Sequence, residues 1–235
     1  MDHDSIAGAR EFIEAGKIMG LPTTIGAELR ACFAYTPLKG RRINNPDQST
    51  VAYVAMHGVP HSRIDALAEF FDPIRKARDL RNRQMTDNLN RTIASAGVSI
   101  DYDADVVTIS EWKNGGEITE RHILYAVANK LIGRFGIGAD LVAFLRQKLA
   151  LPVSDKVEAK LTDASNPFAD YDLLGVLKGN LVEKFYIDAT KECPAISEVA
   201  EFTKENGIVL AYAYLGDVTA SVTGDKKAQT FEDSY

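Results

Sequence analysis

The sequence is poor in cysteine, carries no excess of basic residues and has no long hydrophobic segment. Its two cysteines, Cys32 and Cys193, lie far apart and without the spacing of a zinc site. Neither a disulfide framework nor a zinc knuckle is therefore expected, and a reducing cytoplasm is the predicted compartment. The formal net charge of -6 argues against nonspecific nucleic-acid binding, which needs a broad basic field. No apolar run approaches the roughly 18 residues that span a bilayer, so no membrane partner is predicted.

Motifs of several well-known enzyme classes are missing. The chain has neither a glycine-rich phosphate loop nor a nucleophile elbow, so NTPase and serine-hydrolase functions have no support. Histidine is scarce, no HExxH pair occurs, and the four histidines are His3, His57, His61 and His122. Imidazole and carboxylate are the usual ligands of Zn, Mn and Fe, and ligands distant in sequence must converge through the fold. From the spacing alone, ordinary surface or hydrogen-bonded histidines are the simpler interpretation.

Hydrophobic periodicity and turn residues predict helices that alternate with short strands near both ends of the chain. The pattern predicts helices over residues 5–19, 64–93 and 196–205, and strands over residues 23–29, 50–56 and 208–214. Between residues 64 and 185 it is mostly helical, and Pro73 is expected to kink or restart a helix. This order predicts an α/β fold whose parallel sheet is interrupted by a mostly helical insert. Functional residues in such folds lie at the carboxyl ends of strands.

Two regions of this pattern have the chemistry of a ligand site. Glu28 ends an apolar strand, where a carboxylate must be solvated, paired or bound to a metal. The long helix has a cluster of basic residues, namely Arg75, Lys76, Arg78, Arg81 and Arg83. Its arginines either hold a phosphate through forked guanidinium contacts or form a solvated face with Asp79 and Asp87. A loop over residues 36–47 adds Arg41 and Arg42.

Four segments resemble the PHP family, named for polymerase and histidinol phosphatase, in the order in which that family has them. Residues 2–8 (Asp-His-Asp-Ser-Ile-Ala-Gly) resemble its Thr-Asp-His-Asp-Thr-Xaa-Gly segment, with Met1 in the place of the threonine. Residues 25–28 (Ile-Gly-Ala-Glu) resemble its Gly-Val-Glu strand end, and residues 75–85 are similar to its arginine-rich helix. Residues 119–123 (Thr-Glu-Arg-His-Ile) resemble the segment that returns a histidine to the metals. The resemblance implies a partial distorted (β/α)7 barrel with a mostly helical insert.

The resemblance also implies a set of metal ligands. His3, Glu28 and His122 match ligand positions of the family, and Glu28 and His122 are the implied catalytic residues. A further family histidine falls on Tyr53, so either His57 substitutes for it or that ligand is altered.

The chain departs from the family pattern in other places. Tyr212 stands where the family has a histidine, and a phenolic oxygen is a poor substitute for an imidazole. The family's opening His-Xaa-His and closing Asp-Xaa-His are not in the chain, so we expect a fragment of a longer protein. The expected organisation is a first part of the barrel over residues 1–63, an insert over 64–185 and a continuation of the barrel over 186–235.

The function implied by the resemblance is hydrolysis of a small phosphate ester, such as a nucleotide, by a cluster of two or three divalent metal ions. Mn, Zn or Fe is the expected cofactor. The residues expected to bind the substrate phosphate are Arg41, Arg42, Arg78 and Arg81. Two alternatives stay open. One is a noncatalytic protein that binds a phosphate ligand at a degenerate metal site, and the other is a PHP-type nuclease, which the acidic charge disfavours.

Overall fold

The computed structural model describes residues 1–45 and 48–214. In this part the strands are β1 (Asp2–His3), β2 (Gly26–Cys32), β3 (Val51–His57) and β4 (Val209–Tyr212). The helices are α1 (Ala9–Met19), α2 (Ile64–Ile93), α3 (Glu120–Phe135), α4 (Ala139–Gln147), α5 (Asp155–Thr162), α6 (Ala169–Phe185) and α7 (Ile196–Glu205). One-turn helical segments lie at His61–Arg63, Ala94–Ala96, Tyr102–Val106, Val107–Ile109 and Trp112–Asn114.

The helices and strands predicted from periodicity are present, and α1 and the strands β2, β3 and β4 have shifted ends. The helix predicted from residue 5 begins instead at Ala9, because the residues before it form a turn. Asp4 has the left-handed φ of 49°, and the Ser5 hydroxyl accepts the N–H of Ala7 at 3.1 Å. α2 has the predicted bounds and continues through Pro73.

The four strands form one mixed sheet in the order β1-β2-β3-β4. β1 runs parallel to β2, whereas β3 runs antiparallel to both β2 and β4. The prediction of a parallel sheet is therefore wrong for β3. The described residues between β2 and β3 form no helix, and a parallel return needs a crossover of a dozen or more residues, usually a helix. The partial (β/α)7 barrel stays a prediction.

β2 and β3 approach each other closely at Gly26. A Cβ atom at this position would lie 2.3 Å from the backbone oxygen of Met56, which no side chain tolerates. The glycine of the Ile-Gly-Ala-Glu segment is thus required by strand pairing. It allows the register in which Glu28 lies opposite Ala55.

The chain folds into two compact units. Among the described residues, the first comprises 1–45, 48–79, 112–117 and 188–214. One face of its sheet packs against α1, the first half of α2 and α7. The core residues at this contact include Ala27, Leu29, Val54 and Met56 of the sheet and Ile13, Leu67, Phe71 and Val199 of the helices. Burial of these apolar side chains is the main source of stability for this unit.

The second unit comprises Leu80–Glu111 and Ile118–Ile187 and is helical. α3 packs against α6 through buried side chains at helical spacing, namely Leu124, Val127 and Leu131 on α3 and Leu173, Leu177 and Leu181 on α6. Among the described residues, no helix is long and apolar enough to cross a membrane.

The division into units falls after Asp79, inside α2, and again after Ile187. The domain boundaries expected from the sequence lie after residues 63 and 185. Their assignment to a barrel and an insert stays a prediction. Residues 215–235 of the expected last part, and residues 46 and 47 of the basic loop, lie outside the described residues.

Candidate active site

One face of the sheet carries polar side chains. Facing residues of paired strands point to the same side, and the side alternates along each strand. The register pairs His3 with Glu28 and Arg30 with Tyr53. These four residues therefore share one face, whereas Leu29 points into the core on the other face.

His3 and Glu28 are two candidate metal ligands that the sheet brings together. The Nδ1 atom of His3 lies 3.8 Å from Oε1 of Glu28. The His3 ring meets the Tyr53 ring edge to face, with 6.0 Å between the ring centroids. The His3 side chain is 59% exposed and the Glu28 side chain 25%, so both donors are open to a ligand. An imidazole nitrogen and a carboxylate oxygen at this separation can bind one cation after a small movement.

These two donors are an incomplete metal site. Among residues 1–45 and 48–214, no group of three or more His, Cys, Asp or Glu side chains is close enough to hold a metal ion. Asp4, next to His3, is buried, and within the described residues its Oδ1 atom accepts no hydrogen bond. Such an oxygen is normally satisfied by a water molecule or a cation. The residues thus fit two positions of a metal site.

His57 and Tyr53 lie at different ends of the same face. His57 is the last residue of β3 and pairs with Gly26 and Val209. It lies two residues beyond Ala55, which pairs with Glu28. Tyr53 instead contacts the His3 ring. A phenol therefore lies beside His3, at the position where the sequence resemblance predicts a histidine, and His57 as a ligand stays a prediction. Tyr212 pairs with Val54, which points to the core face.

His122 lies in the first turn of α3, in the second unit, and caps that helix. Its Nδ1 atom accepts the backbone N–H of Thr119 at 3.1 Å. Because an N–H group can only donate, the neutral ring carries its proton on Nε2. Burial lowers the pKa of His122, against the opposite effect of Glu120, and this favours the neutral ring. To bind a metal ion, His122 must give up the capping bond, and its roles as ligand and catalytic residue stay predictions.

Arg78 is the centre of a buried charge cluster in the first unit. We define the charge cluster as Asp4, Arg30, Arg75, Arg78, Glu117 and Glu192. Each of these side chains is at most 18% exposed. Arg78 donates through Nη2 to Asp4, and its Nε lies 3.3 Å from Oε1 of Glu192. Its Nη1 lies 3.4 Å from Oε2 of Glu117. All three guanidinium nitrogens thus meet carboxylates of the protein itself.

The charges of the cluster balance when Glu117 is ionised, which makes their burial tolerable. Three arginines face three carboxylates, and Arg30 bonds Glu192 from β2. Burial alone would lower the pKa of Arg78, but the neighbouring carboxylates, Asp4 foremost, outweigh it, so that pKa lies above its ordinary value. Arg78 therefore stays charged. Its expected role in binding a substrate phosphate stays a prediction, and it requires Arg78 to exchange at least one of these ion pairs.

Arg75 and Arg78 hold the short segment Trp112–Glu117 in the first unit. Arg75 donates to the backbone oxygens of Trp112 and Gly116 at 3.0 and 3.1 Å, and its guanidinium lies 4.4 Å from the centre of the Trp112 ring. Its Nε lies 3.0 Å from Oε1 of Glu117. Burial raises the pKa of Glu117 to about 7, although Arg78 and Arg75 oppose the rise.

The raised pKa of Glu117 predicts a pH-dependent stability. In the folded state Glu117 binds its proton up to about pH 7, whereas in the unfolded chain it ionises near pH 4.5. Its contribution is therefore fully present below pH 4.5 and is lost as the pH rises to about 7. We expect the free energy of unfolding of the wild type to fall across this window by on the order of 3 kcal/mol relative to Glu117→Gln.

Urea unfolding of both proteins at a series of pH values measures this difference. Glu14→Gln, an exposed change of the same kind on α1, should follow the wild type. Parallel pH profiles for the wild type and Glu117→Gln would contradict the shifted pKa.

The other arginines expected to bind phosphate lie in two places. Arg81 belongs to the second unit, where it donates to the Ile187 oxygen at 2.8 Å and lies 5.6 Å from the centre of the Tyr186 ring. Arg41 and Arg42 lie in the loop before β3, and the Arg41 oxygen accepts the N–H of Thr50 at 2.8 Å. Binding of substrate by these three arginines stays a prediction.

Most of the charge cluster is not predicted from the sequence, although α2 carries a signal for it. The residues buried along α2 recur three or four positions apart and include Phe71, Ile74, Arg78, Asn82 and Met85. Arg78 therefore occupies the apolar stripe of the helix, where a charged residue is buried only if it is paired. This position indicates an ion pair within the protein, but it does not identify the partners.

Comparisons with known proteins bear on the fold alone. Neither a family model nor a curated protein matches the chain. A solved structure with a similar fold is that of a "putative metal-dependent phosphoesterase" from Bifidobacterium adolescentis, with a TM-score of 0.52 and 20% sequence identity. The match covers 92% of this chain and 55% of that one, so the chain spans about half the length of its structural neighbour. The described part of the chain thus shares the mixed α/β fold of that protein.

Proposed function

We propose that the protein is a metal-dependent hydrolase of small phosphate esters, with nucleotides among its candidate substrates. The His3–Glu28 pair carries the proposal. It joins an imidazole and a carboxylate on the polar face of a sheet, in a chain whose fold resembles that of the Bifidobacterium protein named as a phosphoesterase. At this level of identity the likeness extends to the fold, and the activity is our inference.

In this proposal His3 and Glu28 bind a divalent cation, with Mn, Zn and Fe as candidates. His122 and His57 are the further ligands suggested by the sequence. A cation there would supply Lewis-acid chemistry, which lowers the pKa of water and offsets charge on phosphate oxygens. Arg41, Arg42 and Arg81 are the candidate residues for orienting the phosphate, because guanidinium groups match its geometry.

The alternative function is noncatalytic binding of a phosphate ligand at a degenerate metal site. The observation that favours it is the phenol of Tyr53 beside His3, at the position that aligns with a histidine of the family. A phenol is a weaker ligand than imidazole for these metals.

Metal binding and turnover measured together separate these functions. The protein is loaded in turn with Mn²⁺, Zn²⁺ and Fe²⁺, and metal binding is measured by calorimetry. Release of inorganic phosphate is then measured from p-nitrophenyl phosphate and from nucleoside monophosphates, with a short oligonucleotide as a third substrate. We expect release from the small esters that depends on the metal and stops when a chelator removes it.

Each other outcome contradicts this proposal in a different way. Binding of a nucleoside monophosphate without phosphate release would support the noncatalytic function. Shortening of the oligonucleotide without hydrolysis of the small esters would support a nuclease. Absence of both metal binding and phosphate binding would overturn the hydrolase and the binding protein together.

A further inference from the structure

The two cysteines of the chain, far apart in sequence, pack into the same small hydrophobic cluster of the first unit. Cys193 is buried there with Val51 and Ala189. Cys32, at the end of β2, is half-buried and packs against this cluster. The sequence alone predicts no pairing between them, because their spacing follows no known framework.

The backbone holds the two cysteine segments side by side. The N–H of Cys32 donates to the oxygen of Pro194 at 2.8 Å, and Cys32 forms a parallel bridge with Ala195. Pro194 directly follows Cys193. Neighbouring strands lie about 4.8 Å apart, and a disulfide spans Cα atoms up to about 7 Å apart. Cys193 lies two residues before Ala195, the bridge partner of Cys32, so joining the two sulfur atoms requires a small backbone movement at Cys193 and Pro194.

We propose that Cys32 and Cys193 form a reversible disulfide when the protein meets a peroxide. In the first step the thiolate of Cys32, the more exposed of the two residues, attacks hydrogen peroxide. An S–O bond forms, the O–O bond breaks, and the departing hydroxide takes up a proton as water. In the second step Cys193 attacks the sulfenic sulfur, so that the S–S bond forms and the S–O bond breaks. The proton of Cys193 leaves with the hydroxide as a second water, and a dithiol reverses the reaction.

The burial of Cys193 determines which cysteine reacts first with peroxide and how fast the disulfide then closes. Burial raises the pKa of the Cys193 thiol to about 12. Because the thiolate is the nucleophile, Cys193 is a poor first reactant with peroxide and suits the resolving role. Closure of the disulfide is expected to become faster as the pH rises.

The disulfide would act on the charge cluster through Glu192. Glu192 directly precedes Cys193 and bonds Arg30, which lies two residues before Cys32 on β2. The disulfide would therefore link the two chain segments that carry Arg30 and Glu192. We expect the oxidised protein to unfold at a temperature higher by on the order of 10 °C, because the bond closes a very long loop of the unfolded chain.

Peptide mapping under nonreducing conditions tests the proposal. The full chain, at a low concentration that disfavours cross-linking between molecules, is treated with hydrogen peroxide. We expect both thiols to disappear, one peptide pair that contains Cys32 and Cys193 with two hydrogen atoms fewer, and complete reversal by dithiothreitol. In Cys193→Ala the reaction should stop at a sulfenic acid on Cys32, which dimedone traps. In Cys32→Ser the Cys193 thiol should persist.

If a variant fails to fold, the peptide map of the oxidised wild type tests the proposal by itself. Oxidation of Cys32 with a persistent Cys193 thiol, or cross-links only between two molecules, would overturn the proposal. None of these measurements uses a metal or a phosphate ester. Failure of the thiol pair is therefore distinguishable from failure of the proposed hydrolase.

Discussion

Replacement of Glu28 by glutamine is expected to weaken metal binding and to lower turnover of a phosphate ester by about 100-fold or more. Loss of a residue that only orients a metal ligand costs about 10- to 100-fold in affinity or activity, and loss of a charged ligand should cost at least the upper value. Calorimetry of metal binding and the initial rate of phosphate release measure the two effects.

The fold should survive this substitution. The backbone oxygen of Glu28 accepts the N–H of Asp4 at 2.7 Å whatever the side chain is, so this bond between the two segments is kept. Glutamine has nearly the same volume and suits a partly exposed strand position. A folding defect is therefore not the expected cause of lost activity, and circular dichroism checks this.

Glu14→Gln is the matched control for Glu28→Gln. It makes the same chemical change on the exposed surface of α1, where Glu14 pairs with Lys17. This variant should bind metal and turn over substrate like the wild type. Unchanged metal affinity in Glu28→Gln would remove Glu28 from the metal site. Retained turnover together with lost metal binding would show that the reaction needs no metal at Glu28.

The helices and strands could be predicted from the sequence because each depends on a local pattern. α2 and α7 have the predicted bounds, and apolar spacing of three and four residues produces them. The direction of β3 could not be predicted in this way. Direction depends on what connects two strands: the loop between β2 and β3 favours an antiparallel return, and the apolar pattern within the strands carries no information on this.

The candidate site was predictable to a smaller extent. The sequence identified His3 and Glu28 only through a family resemblance, because their contact arises from pairing of β1 with β2. The charge cluster depends on still more distant partners, since Arg78 meets Asp4, Glu117 and Glu192 from different segments. The basic stretch of α2 does not distinguish a buried arginine from an exposed one unless each position is compared with the apolar stripe.

Replacement of Arg78 by methionine is expected to destabilise the protein by about 3–5 kcal/mol, because one member of a buried ion network is removed. Asp4 and Glu192 would lose the buried guanidinium that they share, and Glu117, whose pKa is already raised to about 7, would lose one of the two arginines that oppose the rise. Methionine preserves much of the volume, so the loss reflects charge more than packing. The free energy of unfolding in urea at neutral pH measures it.

Arg83→Met on the same helix is the matched control. Arg83 bonds both oxygens of Asp103 in an exposed, two-pronged ion pair. Exposed ion pairs are screened by water and contribute little, so this variant should differ little from the wild type. Equal destabilisation by both substitutions would mean that the charge cluster has no special role and that any arginine of α2 is costly to lose.

A double substitution separates the charge of Arg78 from its packing. Asp4 has a left-handed backbone, which asparagine also accepts readily, so Asp4→Asn removes a charge without adding backbone strain. In the wild type this change leaves Arg78 with one fewer partner and should be destabilising. In the Arg78→Met background it removes a carboxylate that has lost its own partner, and the same change should cost less or even stabilise. We therefore expect a coupling free energy of about 1–3 kcal/mol between the two positions. Additive effects would show that Arg78 acts through packing and that the ion pair with Asp4 contributes nothing to stability.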